Sequence, residues 1–147
     1  MPLLIPLAVS VIPFALTMFV HVLPVAATVA IARRDKRLGL AGVSLWREFR
    51  TVVLIISLAV VAHLIEIALW AAVLMICGEF HEFTQAYCHS AGNYTTLGCG
   101  DPNLSPKWRL LGPLEAADGV LMFGVSTAMI FTLILRLTRE RFLDLKG

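Results

Sequence analysis

The sequence is short of charge. Asp, Glu, Lys and Arg make up 15% of its 147 residues, and 59% are hydrophobic; a soluble domain carries about 25% charge. Residues 2–32 and 119–135 contain no charged side chain, and residues 51–78 contain one, Glu66. Chains this apolar are not disordered and do not behave as soluble enzymes. With a net charge of +2, the chain lacks the basic patch of a nucleic-acid binder. It also has no phosphate-binding Gly loop ahead of a Lys, no activated nucleophile and no cofactor motif. No catalytic role is therefore expected, and no cofactor. No run carries the Arg repeat of a voltage sensor. Cysteine is scarce too: Cys77, Cys88 and Cys99, an odd number. With His81 and His89 they lack the paired spacing of zinc sites, so structural thiols are the expectation.

Three long apolar runs are what remains. Crossing the ~30 Å hydrocarbon core takes roughly 20 apolar residues in a helix. The first run has too few basic residues at its start to read as a cleaved signal peptide. Pro2 and Pro6 predict a late helix start, and Pro13 and Pro24 predict kinks. The expected organisation is a membrane span over 1–34, a cytoplasmic or interfacial linker over 35–50, a unit over 51–137 and a cytoplasmic tail over 138–147. Of the 12 Lys and Arg, all but Lys107 and Arg109 lie in 33–50 or 136–147. The positive-inside rule then places those two segments in the cytoplasm and the N-terminus outside, in a plasma (bacterial inner) membrane.

The outer connection, 79–112, is too apolar for a plain loop. Phe80, Phe83, Ala86 and Tyr87 recur at helical spacing behind the acidic Glu79 and Glu82. They predict a helix over 80–93 that is too short to span. A short helix followed by Gly-rich chain between two spans is the pattern of a re-entrant loop, tolerated at membrane depth where protein or water covers it.

After that helix the chain reads Thr95-Thr96-Leu97-Gly98-Cys99-Gly100-Asp101. This resembles the selectivity-filter signature of the potassium-channel pore-domain family, Thr-Thr-x-Gly-Tyr-Gly-Asp. Trp108 follows Asp101 by seven residues, a spacing also found in a small bacterial channel of that family. Gly119, Gly124, Thr127 and Ala128 resemble the family's inner helix. The resemblance covers roughly residues 50–137, which corresponds to a two-helix pore with an extra N-terminal transmembrane helix. It implies an all-α fold: an outer helix over 51–78, a pore helix over 80–93, a filter over 95–101 and an inner helix over 106–137. It further implies a homotetramer in the lipid bilayer whose four loops aim backbone carbonyls at one axis, replacing a cation's hydration shell. By that resemblance Thr96, Leu97, Gly98, Cys99 and Gly100 hold K⁺. Thr95, Asp101, Tyr94 and Trp108 support the filter, Gly119 and Gly124 act as hinges, and Thr127, Ala128 and Phe131 line the inner cavity. Cys99 stands where the family has Tyr, and Cys88, His89 and Gly92 replace its supporting aromatics and acid. This leaves a cation channel of weakened or altered selectivity beside a non-conducting or divalent-passing relative, or an accessory subunit of another channel.

His63, Glu66 and Trp70 share one face of the second span. His63 and Glu66 form either a gating pair or a structural pair behind the pore. Glu115 reads as a helix-terminus acid, following Gly112 and Pro113. His21 suggests no role beyond a hydrogen bond within the membrane.

Overall fold

The computed structural model describes residues 4–39, 44–98 and 104–144, without the side chains of residues 36 and 140–144. The described residues form four α-helices and no strand: α1 (Leu4–Arg37), α2 (Leu45–Ile76), α3 (Phe83–Tyr94) and α4 (Leu111–Asp144). Within them α1, α2 and α4 are each long and apolar enough to cross a membrane. The described residues are all-helical, with three such helices.

Several helix limits differ from those the sequence predicts, each for a local reason. α1 starts at Leu4 because Pro6 falls in its first turn, where a backbone N–H has no intrahelical acceptor to lose. Pro13 and Pro24 lie inside the helix. α2 begins at Leu45, behind an extended Ser44, and so takes in the second half of the expected linker. Trp46 and Phe49 stack there with ring centroids 5.7 Å apart, both exposed. α3 starts at Phe83 because Phe80 is instead buried in the core. Its 12 residues give a helix of about 18 Å, too short to cross a bilayer. α4 starts at Leu111, not residue 106, with Pro113 in its first turn. Turns over 106–110 precede it, with Trp108 N–H donating to the Ser105 carbonyl at 2.9 Å.

The helices are held by packing and by polar contacts. α1 lies against α2 and α4, and α3 is wedged between α2 and α4. Around α3 the core comprises Ile67, Trp70, Leu74, Phe80, Tyr94, Trp108, Leu111 and Met122, with Phe14 of α1 edge-on to Trp70 at 5.9 Å. A second cluster, Ile55, Ala59, Met129 and Leu133, holds the far ends of α2 and α4. The long connection is stapled at its two ends: the Glu79 carboxylate accepts the Ser105 backbone N–H at 2.7 Å and its hydroxyl at 2.6 Å. In lipid, apolar burial gives helices little reason to associate, so close packing and buried hydrogen bonds carry more of the load.

Gly119 marks the closest approach. A Cβ there would lie 2.0 Å from the Tyr94 carbonyl oxygen, so the end of α3 presses on the bare backbone of α4. Gly119 therefore serves as a packing notch in this fold. Gly124 has no atom within 4 Å of such a Cβ and lies on the exposed side of α4, with Thr127, Ala128 and Phe131. Most of the apolar surface also points outward, including Val11, Phe19 and Leu23 at 64%, 71% and 62% exposure. Such faces call for lipid or partner chains.

Candidate functional site

A column of polar side chains runs through the bundle where the sequence is most apolar. Three acids, Glu66, Asp118 and Glu115, are fully buried, and no Lys or Arg is among the buried described residues. Glu115 of α4 accepts the hydroxyl of Ser90 in a short contact and the amide of Asn93 at 3.3 Å, tying α3 to α4. The expected helix-terminus role thus gives way to a cross-helix anchor. Asp118 Oδ2 accepts the Trp70 indole N–H at 2.8 Å and the Thr17 hydroxyl at 2.9 Å, joining α4 to α2 and α1. Its other oxygen, Oδ1, is buried with no partner among the described residues.

One helical turn along, where Thr17 is followed by His21 and Trp70 is preceded by Glu66, all four helices meet. Glu66 Oε1 lies 2.8 Å from His21 Nδ1, and Oε2 lies 3.1 Å from His63 Nδ1. The Tyr94 hydroxyl donates to Oε2 in a short contact and lies 3.0 Å from His63 Nδ1. Behind the imidazoles, Ser126 Oγ stands 2.9 Å from both His21 Nε2 and His63 Nε2. The result is a closed ring: Glu66, His21, Ser126, His63 and back to Glu66.

The ring has a definite hydrogen requirement. With the Tyr94 hydrogen on Glu66, four ring contacts remain, and each needs one hydrogen. An ionised carboxylate, two neutral imidazoles and one hydroxyl supply three. Either one further proton or a cation is needed, because a buried polar contact left unsatisfied costs about 1–3 kcal/mol. His21, His63 and Glu66 each place one ligand atom within 4.8 Å of the others.

The chain beyond α3 is different in kind. Thr95 closes the helix, its hydroxyl donating to the Ala91 carbonyl at 2.6 Å. Thr96 and Gly98 follow with φ of 60° and 73°, the left-handed region that a Thr rarely enters. Gly98 N–H bonds back to the Gly92 carbonyl at 3.0 Å. Thr95, Thr96, Leu97 and Gly98 are all exposed, Leu97 to 83%. Cys99, Gly100 and Asp101 lie outside the described residues.

The structure thus joins His63 to Glu66 as expected and adds three residues that sequence reasoning missed: His21, Tyr94 as a polar partner, and Ser126. The missed signal was a pair of polar residues at one-turn spacing inside the charge-free first run, Thr17 with His21. Tyr94 turns its hydroxyl to Glu66, and Trp108 packs in the core with Lys107 Nζ 4.6 Å from its ring. Cys77 and Cys88 are thiols, and burial, with Glu79 beside it, raises the Cys77 pKa above its ordinary value, which disfavours the thiolate. His89 is buried against Phe80 at 5.0 Å, with neither ring nitrogen partnered among the described residues. That burial lowers its pKa below 6.5, with Glu79 pulling the other way.

Comparison with known proteins finds no matching family model, no matching curated protein and no matching solved structure.

Proposed function

We propose that the chain is the subunit of a passive cation channel, a homotetramer that conducts K⁺ past backbone carbonyls of residues 96–100. The observation that carries this reading is a helix too short to span, wedged between two helices long enough to span, delivering an exposed Thr-Thr-Leu-Gly segment. A re-entrant pore helix needs such protein cover on both sides. The alternative backbone handedness at Thr96 and Gly98 suits a chain that must turn successive carbonyls to one side. The α3 C-terminus brings the negative end of a helix dipole to the same place, which favours a cation. Gly124, Thr127, Ala128 and Phe131, on the exposed side of α4, are the residues this reading assigns to the inner cavity. The basic residues of 33–50 and 136–147 favour a cytoplasmic C-terminus and an outer loop.

One chain supplies a quarter of such a filter, and cyclic closure completes it. Native mass measurement of the detergent-solubilised protein should therefore find four copies. A protein that stays monomeric or dimeric across mild detergents and in bilayers, as read by cross-linking, overturns the reading.

A further inference from the structure

The buried ring of His21, Glu66, His63 and Ser126 is not among the residues the conduction reading uses, and conduction leaves it unexplained. We propose that His21 Nδ1, His63 Nδ1 and the Glu66 carboxylate, with the Tyr94 hydroxyl as fourth donor, bind one divalent transition-metal ion of the Zn²⁺ class. Two imidazoles, a carboxylate and a phenol are donors that suit zinc or cobalt and not K⁺ or Ca²⁺. A tetrahedral ion at ~2.0–2.1 Å from N and O donors spaces its ligands ~3.3 Å apart. The donor atoms here, 2.8, 3.0 and 3.1 Å apart along their contacts and all three metal-ligand candidates within 4.8 Å, bracket that spacing. Small side-chain rotations suffice.

The hydrogen requirement of the ring argues the same way. An ion on the Nδ1 side replaces the hydrogens at both Glu66 contacts and moves each imidazole hydrogen to Nε2. Both Nε2–H groups then point at Ser126 Oγ, 2.9 Å away, whose two lone pairs accept them. This is the outer-shell partner that ligating histidines usually have. Charge separates the ion from a lone proton. A proton neutralises Glu66 alone, whereas Asp118 of α4, one turn along the column and fully buried with Oδ1 unpartnered, also lacks a cation among the described residues. A divalent ion offsets the charge of Glu66 and of Asp118, while Glu115 is held apart from them by Ser90 and Asn93. Bound there, it would clamp α1, α2 and α3 at one point.

Co²⁺ reports on such a site directly. Titrated into the purified chain in detergent, Co²⁺ should bind one per chain and show the intense visible bands of four-coordinate N and O ligation. The thiolate charge-transfer band that the cysteines would give should be absent, and Zn²⁺ should displace the Co²⁺. Ser126→Ala should weaken binding by about 10–100-fold, the usual effect of removing an outer-shell partner, and His21→Gln and His63→Gln by more. Where a histidine variant fails to fold, the wild-type spectrum and Ser126→Ala decide. The proposal is overturned by six-coordinate or thiolate-type spectra, by no stoichiometric binding, or by affinity unchanged in Ser126→Ala and His21→Gln. Each readout is independent of ion flux, so a protein that conducts without binding cobalt defeats this proposal alone.

Discussion

His89 sits on α3, and its surroundings treat it as an apolar ring. It is 7% exposed, faces Phe80, and has no described hydrogen-bond partner for either nitrogen. Since its pKa is lowered below 6.5 in the fold, the folded protein disfavours the proton that the unfolded chain accepts. No penalty exists above the unfolded value; it develops as pH falls through 6.5 and levels off below the lowered value. Thermal unfolding in detergent at about pH 8 and about pH 5 should show a loss of stability at the acid end, smaller in His89→Leu. An equal loss in both proteins would mean that His89 is neutral to folding. Residues of this sort explain what the sequence left illegible. The low charge of the second run announced that Glu66 was exceptional, and the shared face of His63 and Glu66 could be read from spacing. That His21 and Ser126 complete their ring depends on how three helices cross, which no spacing within one helix encodes.

Among the elements, α3 is the one whose placement everything else serves. It is held at its end by the Tyr94 hydroxyl on Glu66, on one side by Ser90 and Asn93 on Glu115, and by the Gly119 notch beneath the Tyr94 carbonyl. Gly119→Ala puts a carbon where the backbone oxygen now lies. Overpacking of a core costs about 1–3 kcal/mol, and here a main-chain atom has to move, so the upper end applies. Hydrogen exchange should show faster exchange over 91–98 in this variant, with α2 between residues 59 and 74 protected as before. Unchanged protection over 91–98 would contradict the notch. The sequence pointed to a short helix here because apolar residues recur at its spacing, but its start moved to Phe83 once Phe80 found a place in the core. α2 and α4 shifted likewise, since helix ends answer to neighbours that the local pattern does not contain.

At the scale of the whole molecule, the described residues form a bundle with three helices long and apolar enough to cross a membrane, whose outward faces carry much apolar surface. Only 22–28% of the most apolar window of each long helix is buried within one chain. That surplus was legible from composition, because 59% hydrophobic residues cannot be hidden in a bundle this small. Lipid accounts for part of it, and the proposed assembly covers the side of α4 that carries Gly124, Thr127 and Ala128, where the exposed ends of four α3 helices would converge. The most direct test is cation flux from liposomes holding the purified, correctly inserted protein, comparing K⁺, Na⁺ and divalent ions. The account predicts K⁺ efflux, with Thr96→Ala changing the K⁺ to Na⁺ ratio because its hydroxyl and carbonyl belong to the ion path. Absence of flux for every cation, from inserted protein shown to be tetrameric, would contradict it.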